Sequence, residues 1–208
     1  MTPRERLATA RLYLVCPARP REWIEAAIRG GVDLIQLRDK TLSDDELVEA
    51  ARAFVGYDAL FILNDRPDLV DACGADGIHV GQDDDPPKVA RAAVGPDRIV
   101  GRSTHAPDQA AAAEGDEDVD YLAVGPVHAT PTKPGRPAAG LAYVSHAAET
   151  VKKPWFAIGG LDAGNVHEVV ERGATRIVVV RAITDAADPE AAARALRDAL
   201  EGRVGAGR

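Results

Sequence analysis

The segment Gln36-Leu37-Arg38-Asp39-Lys40 ends an apolar run with closely spaced polar side chains. In a strand, alternation puts Gln36 and Arg38 on the same face as Leu34, with Lys40 just beyond the strand end. A strand that is buried on both faces gains nothing from such groups unless they meet a polar ligand. Arg38 and Lys40 together suit a diphosphate, because both donate charge-assisted hydrogen bonds to phosphate oxygens. The alternative is an ion-pair network with neighbouring carboxylates.

Two acidic residues, Asp65 and Asp84, follow the next two apolar runs. At the ends of adjacent strands they would lie close enough to share a cation. Mg2+ commonly takes one or two protein carboxylates, and water and phosphate oxygens complete its coordination. Helix capping is the other interpretation, because Asp65 precedes a short predicted helix and Asp85-Pro86 has the form of an N-cap followed by proline. The residues alone leave both interpretations open.

Hydroxyls, glycines and cations also follow the later apolar runs. Ser103 ends the fifth run, and segment 125–135 after the sixth contains threonine, proline, glycine and lysine. Gly159-Gly160 end the seventh run, where a phosphate could approach the main chain without meeting a Cβ. Val180-Arg181 end the eighth run. Backbone amides after strands seven and eight form a common phosphate site in (β/α)8 barrels.

The elements that would position these groups are short apolar runs of strand character that alternate with helical stretches. Eight such alternations within 208 residues predict a single-domain (β/α)8 TIM barrel. An open doubly wound sheet is less favoured, because its phosphate signal would lie in one glycine-rich first turn. We expect the barrel to span residues 1–201 and residues 202–208 to form a disordered tail. The predicted strands are Leu12–Cys16, Val32–Arg38, Leu60–Asn64, Gly77–Gly81, Ile99–Ser103, Tyr121–Gly125, Trp155–Gly159 and Arg176–Arg181. The predicted helices include Pro20–Arg29, Ser43–Val55, Ala106–Ala113, Ala163–Arg172 and Pro189–Leu200.

Composition excludes several classes of protein. A net charge of -8 with no basic cluster argues against a nucleic-acid partner. Two cysteines, Cys16 and Cys73, are too few for a disulfide framework and lack zinc-ligand spacing. No segment has the length and apolarity of a membrane span or a signal peptide, so we expect a cytoplasmic protein without a membrane partner. None of the five histidines has a spacing that indicates a metal site or a nucleophile–base pair.

Taken in chain order, the strand-end segments resemble the thiamine phosphate synthase family. The match extends from about residue 10 to about residue 185, nearly the whole chain. Each segment is a weak signal alone, but six of them in order on the expected strand ends are specific. They are QLRDK at 36–40, Asn64-Asp65, HVGQDD at 79–84, Gly101–Ser103, GPVHATPTK at 125–133 and AIGG at 157–160.

The resemblance implies a Mg2+-dependent transferase that condenses 4-amino-2-methyl-5-hydroxymethylpyrimidine diphosphate with a thiazole phosphate, giving thiamine phosphate and diphosphate. It also implies that Asp65 and Asp84 bind Mg2+. The residues implied on the pyrimidine diphosphate side are Gln36, Leu37, Arg38, Asp39, Lys40, Asn64, Ser103 and Lys133, among which Arg38, Lys40, Ser103 and Lys133 would act in catalysis. The residues implied on the thiazole phosphate side are Thr130, Pro131, Thr132, Gly160, Val180 and Arg181.

Arg181 departs from the family pattern, which often has a serine at this position. Either the guanidinium contacts the phosphate or only the backbone amide does, with the side chain paired to a carboxylate such as Asp185.

Rival functions are a thiazole tautomerase, a sugar-phosphate isomerase or aldolase, and a phosphate-metabolite sensor. QLRDK, Asn64-Asp65, Asp84 and the TPTK loop at 130–133 favour the transferase. Its partners would be small-molecule substrates, and a homo-oligomer is left open.

Overall fold

Eight parallel strands close into a barrel, in which each strand pairs with the next and the eighth pairs with the first. The computed structural model describes residues 1–129 and 137–202. The strands are β1 (Leu12–Cys16), β2 (Leu34–Leu37), β3 (Leu60–Asn64), β4 (Gly77–Val80), β5 (Ile99–Thr104), β6 (Tyr121–Val124), β7 (Trp155–Ile158) and β8 (Ile177–Val179). The predicted (β/α)8 barrel is confirmed.

Helices fill the connections and cover the outer faces of the strands. In the described ranges they are α1 (Pro3–Thr9), α2 (Arg21–Arg29), α3 (Asp44–Ala51), α4 (Val70–Cys73), α5 (Pro87–Val94), α6 (Pro107–Gly115), α7 (Gly140–Thr150), α8 (Val166–Glu171), α9 (Arg181–Thr184) and α10 (Pro189–Leu200), with a 3-10 turn at Pro67–Leu69. Ser43 and Glu46 form a capping box at the start of α3, and Asp188 caps α10 through the Ala191 amide. Within residues 1–129 and 137–202, no helix is both long enough and apolar enough to cross a membrane.

The observed strands are shorter than predicted where the chain turns sharply. β2 begins at Leu34, two residues later than predicted, and β8 ends at Val179. The difference at β8 arises because Arg181 already begins α9 instead of extending the strand. Of the predicted tail, residues 203–208 lie outside the described part of the chain.

The barrel interior is filled with apolar side chains at its N-terminal end. Leu7 and Ala10 of the N-terminal segment pack against the strand residues that face inward. Position 101 requires glycine, because the ring of Tyr121 occupies the place that a Cβ would take. The inward-facing residues of this layer include Tyr13, Leu34, Leu60, Ile99, Tyr121, Phe156 and Val178. Inward-facing side chains nearer the C-terminal strand ends therefore surround an open mouth.

Aspartates tie neighbouring strands together at the N-terminal end of the barrel. Asp33, Asp76 and Asp120 each stand immediately before an even-numbered strand, and each accepts a hydrogen bond from a backbone N–H at the start of the preceding strand. Each carboxylate also pairs with arginine. Asp120 is bound by Arg91 at 2.5 Å and by Arg4 at 2.8 Å. We call each such aspartate with its arginine and backbone partners a strand clasp.

The Asp120 clasp gives a prediction about stability. Asp120→Ala removes one partner of two ion pairs and leaves the Val100 N–H without its acceptor. Because the Asp120 side chain is only 14% exposed, we expect the free energy of unfolding to fall by about 2–4 kcal/mol. Urea denaturation measures this loss, with Asp97→Ala on the exposed turn before β5 as the control. An equal effect of both substitutions would contradict the role assigned to the clasp.

Candidate functional site

Two adjoining cavities open at the C-terminal ends of the strands. The β2–β4 cavity, of about 570 Å3, is bounded by the ends of β1 to β5. The β7–β8 cavity, of about 380 Å3, is bounded by the ends of β5 to β8 and the loops that follow them. Both cavities share a wall made of Ser103, Ala123, Ile158, Val178 and Val180. Two molecules bound in the two cavities would therefore meet along this wall.

The β2–β4 cavity contains most of the polar residues that the sequence singles out. Gln36 lies inside the barrel on the face of Leu34, as the alternation predicts. Arg38 also lines the cavity, and its guanidinium forms no ion pair with any residue in the described ranges. It is therefore available to an anionic ligand. The predicted residues that line this cavity are Gln36, Arg38, Lys40, Asn64, Asp65, Asp84, Ser103 and Val180.

Leu37 and Asp39 point elsewhere. The Leu37 side chain is 1% exposed and packs in the apolar core between the strands and the helices. Asp39 accepts hydrogen bonds from Thr41 and from the Ala18 amide, and the Thr41 bonds hold the pKa of its carboxyl below its ordinary value. Both side chains alternate away from the β2–β4 cavity, which neither of them lines.

Asp65 and Asp84 come together as a carboxylate pair. Lys40 Nζ lies 2.9 Å from Asp65 Oδ2. Burial raises the pKa of Asp65, but side-chain partners that include Lys40 and Asp84 outweigh it, so the pKa stays below its ordinary value. Asp65 also adopts a φ of 59°, a left-handed conformation that aspartate tolerates better than most residues. The site thus holds an ionised carboxylate in a conformation that costs energy.

Neither aspartate acts as a helix cap. The 3-10 turn after β3 has Arg66 at its N-cap, and α5 has Pro86 there, in both cases without a side-chain hydrogen bond. Asp84 instead accepts from the Gly81 amide at 2.7 Å, within its own loop. Among residues 1–129 and 137–202, no group of three or more histidine, cysteine or acidic side chains could hold a metal ion. A hard cation at the Asp65–Asp84 pair would need further oxygen ligands from water or from a bound anion.

Strand β5 anchors the loop that carries Asp84. Arg102 donates to the Gly81 carbonyl at 2.6 Å, and Gln82 Nε2 donates to the Ser103 carbonyl at 2.6 Å. A Cβ on Gly81 would lie 2.7 Å from Asp84 Oδ2, so a larger residue there would displace the Asp84 carboxylate. The position of the Asp84 carboxylate therefore depends on β5 as well as on its own strand.

The β7–β8 cavity has a backbone-lined surface. Gly159 and Gly160 have φ values of 112° and 66°, which favour glycine. A Cβ on Gly160 would lie 2.8 Å from His128 Cβ. Arg181 lines the cavity, is exposed, and makes no ion pair with Asp185 or with any other residue in the described part of the chain. The predicted residues Thr130, Pro131, Thr132 and Lys133 lie outside the described residues.

A buried chain of hydrogen bonds runs below the β2–β4 cavity and was not predicted. Gln36 Nε2 donates to the Tyr13 hydroxyl, which lies 2.9 Å from the Tyr121 hydroxyl. His79 then links Tyr121 to Ser103. Its Nδ1 lies 2.9 Å from the Tyr121 hydroxyl, and its Nε2 lies 2.9 Å from Ser103 Oγ. The only signal in the sequence is that tyrosine and histidine occupy inward-facing positions of otherwise apolar strands.

A family model, curated relatives and a solved structure show the family to which this chain belongs. The family model described as thiamine monophosphate synthase matches residues 12–183. The thiamine-phosphate synthase of Thermus thermophilus is 55% identical over 207 residues, covering 92% of this chain and 98% of that protein. The thiamine-phosphate synthase of Thermobifida fusca is 51% identical and covers 96% of each chain. The solved thiamine phosphate pyrophosphorylase of Pyrococcus furiosus superposes with a TM-score of 0.84 at 33% identity, covering 97% of this chain and 99% of that one.

The two thiols give a prediction about reactivity. Burial raises the pKa of Cys16 to about 12 and also raises the pKa of Cys73. Because the thiolate is the reactive form, both cysteines should resist a thiol reagent at pH 8 in the folded protein and react after unfolding in guanidinium chloride. Cys16→Ala should retain activity. Cys16 lines the β2–β4 cavity. Rapid labelling of Cys16 in the native protein would contradict this prediction and would indicate a reactive thiol in the cavity.

Proposed function

Since this chain belongs to the thiamine monophosphate synthase family, we propose that it joins 4-amino-2-methyl-5-hydroxymethylpyrimidine diphosphate to a thiazole phosphate in a Mg2+-dependent reaction. Formation of thiamine phosphate in thiamine biosynthesis follows from the family itself. The observation that carries the finer assignment is the pair of adjoining cavities of different chemistry. One offers cations and a carboxylate pair, and the other offers the backbone of Gly159 and Gly160 beside Arg181.

In this proposal the pyrimidine diphosphate occupies the β2–β4 cavity. Arg38 and Lys40, with Lys133, neutralise the diphosphate, and Gln36, Asn64 and Ser103 orient the pyrimidine. Lys40 pairs with Asp65, and its flexible stem allows the ammonium to turn toward a phosphate oxygen. The main-chain groups of Leu37 and Asp39 are the parts of those residues that a substrate could reach.

The carboxylate pair is the proposed Mg2+ site. Asp65 and Asp84 supply hard oxygen ligands, and two protein carboxylates with phosphate oxygens and water are a usual set for this ion. Bound there, Mg2+ would supply charge neutralisation for the leaving diphosphate. The same pair favours a transferase over a thiazole tautomerase, because a reaction without a diphosphate leaving group has no use for a metal at this position.

The thiazole phosphate occupies the β7–β8 cavity in this proposal. Its phosphate lies against Gly160 and the Val180-Arg181 backbone. Thr130, Pro131 and Thr132, which lie outside the described residues, belong to the same phosphate side in the family resemblance. Backbone N–H groups after strands seven and eight commonly bind phosphate in barrels of this kind. The shared wall at Ser103 and Ala123 then lets the thiazole nitrogen approach the methylene carbon of the pyrimidine.

The bond changes need no protein base or nucleophile. The methylene C–O bond breaks, its electron pair leaves with the diphosphate, and the electron-rich aminopyrimidine delocalises the resulting cation. The lone pair of the thiazole nitrogen then forms the new C–N bond. The chain's own residues position both substrates and neutralise the leaving group, which are recognised contributions to catalysis. The high pKa of Cys16 agrees with a mechanism without a cysteine nucleophile.

The metal assignment predicts that Asp65→Ala and Asp84→Ala each raise the Mg2+ concentration for half-maximal activity, by roughly tenfold or more, and lower turnover. A Mg2+ titration of the initial rate, reading thiamine phosphate, measures both effects. Asp85→Ala is the matched control, since Asp85 is exposed on the same loop. Full activity of the first two variants in EDTA would end the metal hypothesis.

The division of the two cavities predicts opposite effects of two arginine substitutions. Arg38→Gln should raise the KM for pyrimidine diphosphate by about 10- to 150-fold and barely change that for thiazole phosphate. Lys133→Ala should behave likewise. Arg181→Ser should weaken the binding of thiazole phosphate by roughly tenfold or more and leave the binding of pyrimidine diphosphate unchanged, because Arg181 lines the β7–β8 cavity and forms no ion pair within the described ranges. If Arg38→Gln instead weakened thiazole phosphate and Arg181→Ser weakened pyrimidine diphosphate, the assignment of the two cavities would be reversed.

A further inference from the structure

The buried hydrogen-bond chain has a direction that its first member sets. Nitrogen Nε2 of Gln36 faces the Tyr13 hydroxyl, and an amide nitrogen can only donate. The Tyr13 oxygen therefore accepts from Gln36, and its own hydrogen points to the Tyr121 oxygen, 2.9 Å away. The Tyr121 oxygen accepts in turn, so the Tyr121 hydrogen points to His79 Nδ1.

Both tyrosines have that hydrogen to donate. They are at most 1% exposed, and burial raises the pKa of each hydroxyl above its ordinary value. Each is therefore neutral at physiological pH. A phenolate at either position would accept at both sides and break the direction of the chain.

The direction passes through His79 to Ser103. With Nδ1 accepting from Tyr121, the imidazole carries its hydrogen on Nε2, which lies 2.9 Å from Ser103 Oγ. Ser103 then accepts from His79 and keeps its own hydrogen for another partner. Ser103 lines both cavities, so that hydrogen is directed to the place where the two substrates would meet.

We propose that this chain makes Ser103 a hydrogen-bond donor and the Gln36 carbonyl an acceptor toward the pyrimidine, with Tyr13, Tyr121 and His79 as positioning residues. The ligand part of the proposal rests on the proposed function. An aminopyrimidine carries an amine hydrogen to donate and ring nitrogens that accept. The amine suits the carbonyl of Gln36, and a ring nitrogen suits the hydroxyl of Ser103, so the chain selects for the amino-substituted ring.

The first test reads the tautomer of His79 without any substrate. Nitrogen-15 NMR of protein labelled at its five histidines separates a protonated ring nitrogen from an unprotonated one, and His79→Gln assigns the signals. We expect hydrogen on Nε2 and none on Nδ1 at pH 8. Hydrogen on Nδ1 would mean that the chain runs in the opposite direction, which would overturn the proposal.

The second test compares two buried tyrosines, Tyr121 of β6 and Tyr143 of α7. Tyr121→Phe removes the donor to His79, so we expect mixed tautomers and a roughly tenfold higher KM for pyrimidine diphosphate, without change for thiazole phosphate. Tyr143 is the control, because its buried hydroxyl donates to Thr104 Oγ1 at 2.7 Å outside the chain. Tyr143→Phe should lose comparable stability but keep the tautomer and both KM values.

The two tests separate the failure of this proposal from the failure of the proposed function. If Tyr121→Phe and Tyr143→Phe changed the KM equally, or if Tyr121→Phe left it unchanged, the chain would have no role in positioning Ser103. If instead the unmodified protein formed no thiamine phosphate, the proposed function would fail. The tautomer measurement would then still decide the direction of the hydrogen bonds.

Discussion

Closure of eight short parallel strands is the constraint on which the rest of the structure depends. Because the sheet has no free edge, each strand sends alternate side chains into one small interior. The N-terminal part of that space is filled by apolar groups and by α1. Inward-facing polar side chains at the C-terminal ends of the strands therefore point toward the mouth. Residues from β2, β3, β4 and β5 therefore converge there although the sequence separates them widely.

Much of the fold and part of the site follow from local pattern. The strands could be predicted because each combines an apolar run with a polar end, and the position of Gln36 followed from alternation with Leu34. The same alternation shows that the side chains of Leu37 and Asp39 face away from the β2–β4 cavity, although the whole segment was predicted to bind substrate. The contact between Tyr13 and Tyr121 joins residues 108 positions apart, and no local pattern specifies such a pair. The loop that bears Asp84 likewise depends on Arg102 of the following strand.

Charge is arranged differently at the two ends of the barrel. The chain has a net charge of -8, yet the arginines of the strand clasps are paired with carboxylates, whereas Arg38 and Arg181 line the cavities without an ion pair in the described ranges. An unpaired guanidinium at a concave mouth attracts phosphate more strongly than the net charge of the protein suggests. The sign of the whole molecule therefore says little about its ligands.

The strand clasps recur before every second strand, at β2, β4 and β6. Asp33 joins β1 to β2, Asp76 joins β3 to β4, and Asp120 joins β5 to β6, whereas Arg176 stands at the corresponding place before β8. The clasps thus define three βαβ modules, in each of which an aspartate ties the two strands together, whereas Arg176 donates to the Ala10 carbonyl and so ties the start of β8 to the start of β1. Boundaries between modules, such as the turn between α3 and β3, are then natural points for circular permutation or for exchanging a module with a related barrel. Cuts inside a module would separate an aspartate from the strand that it holds.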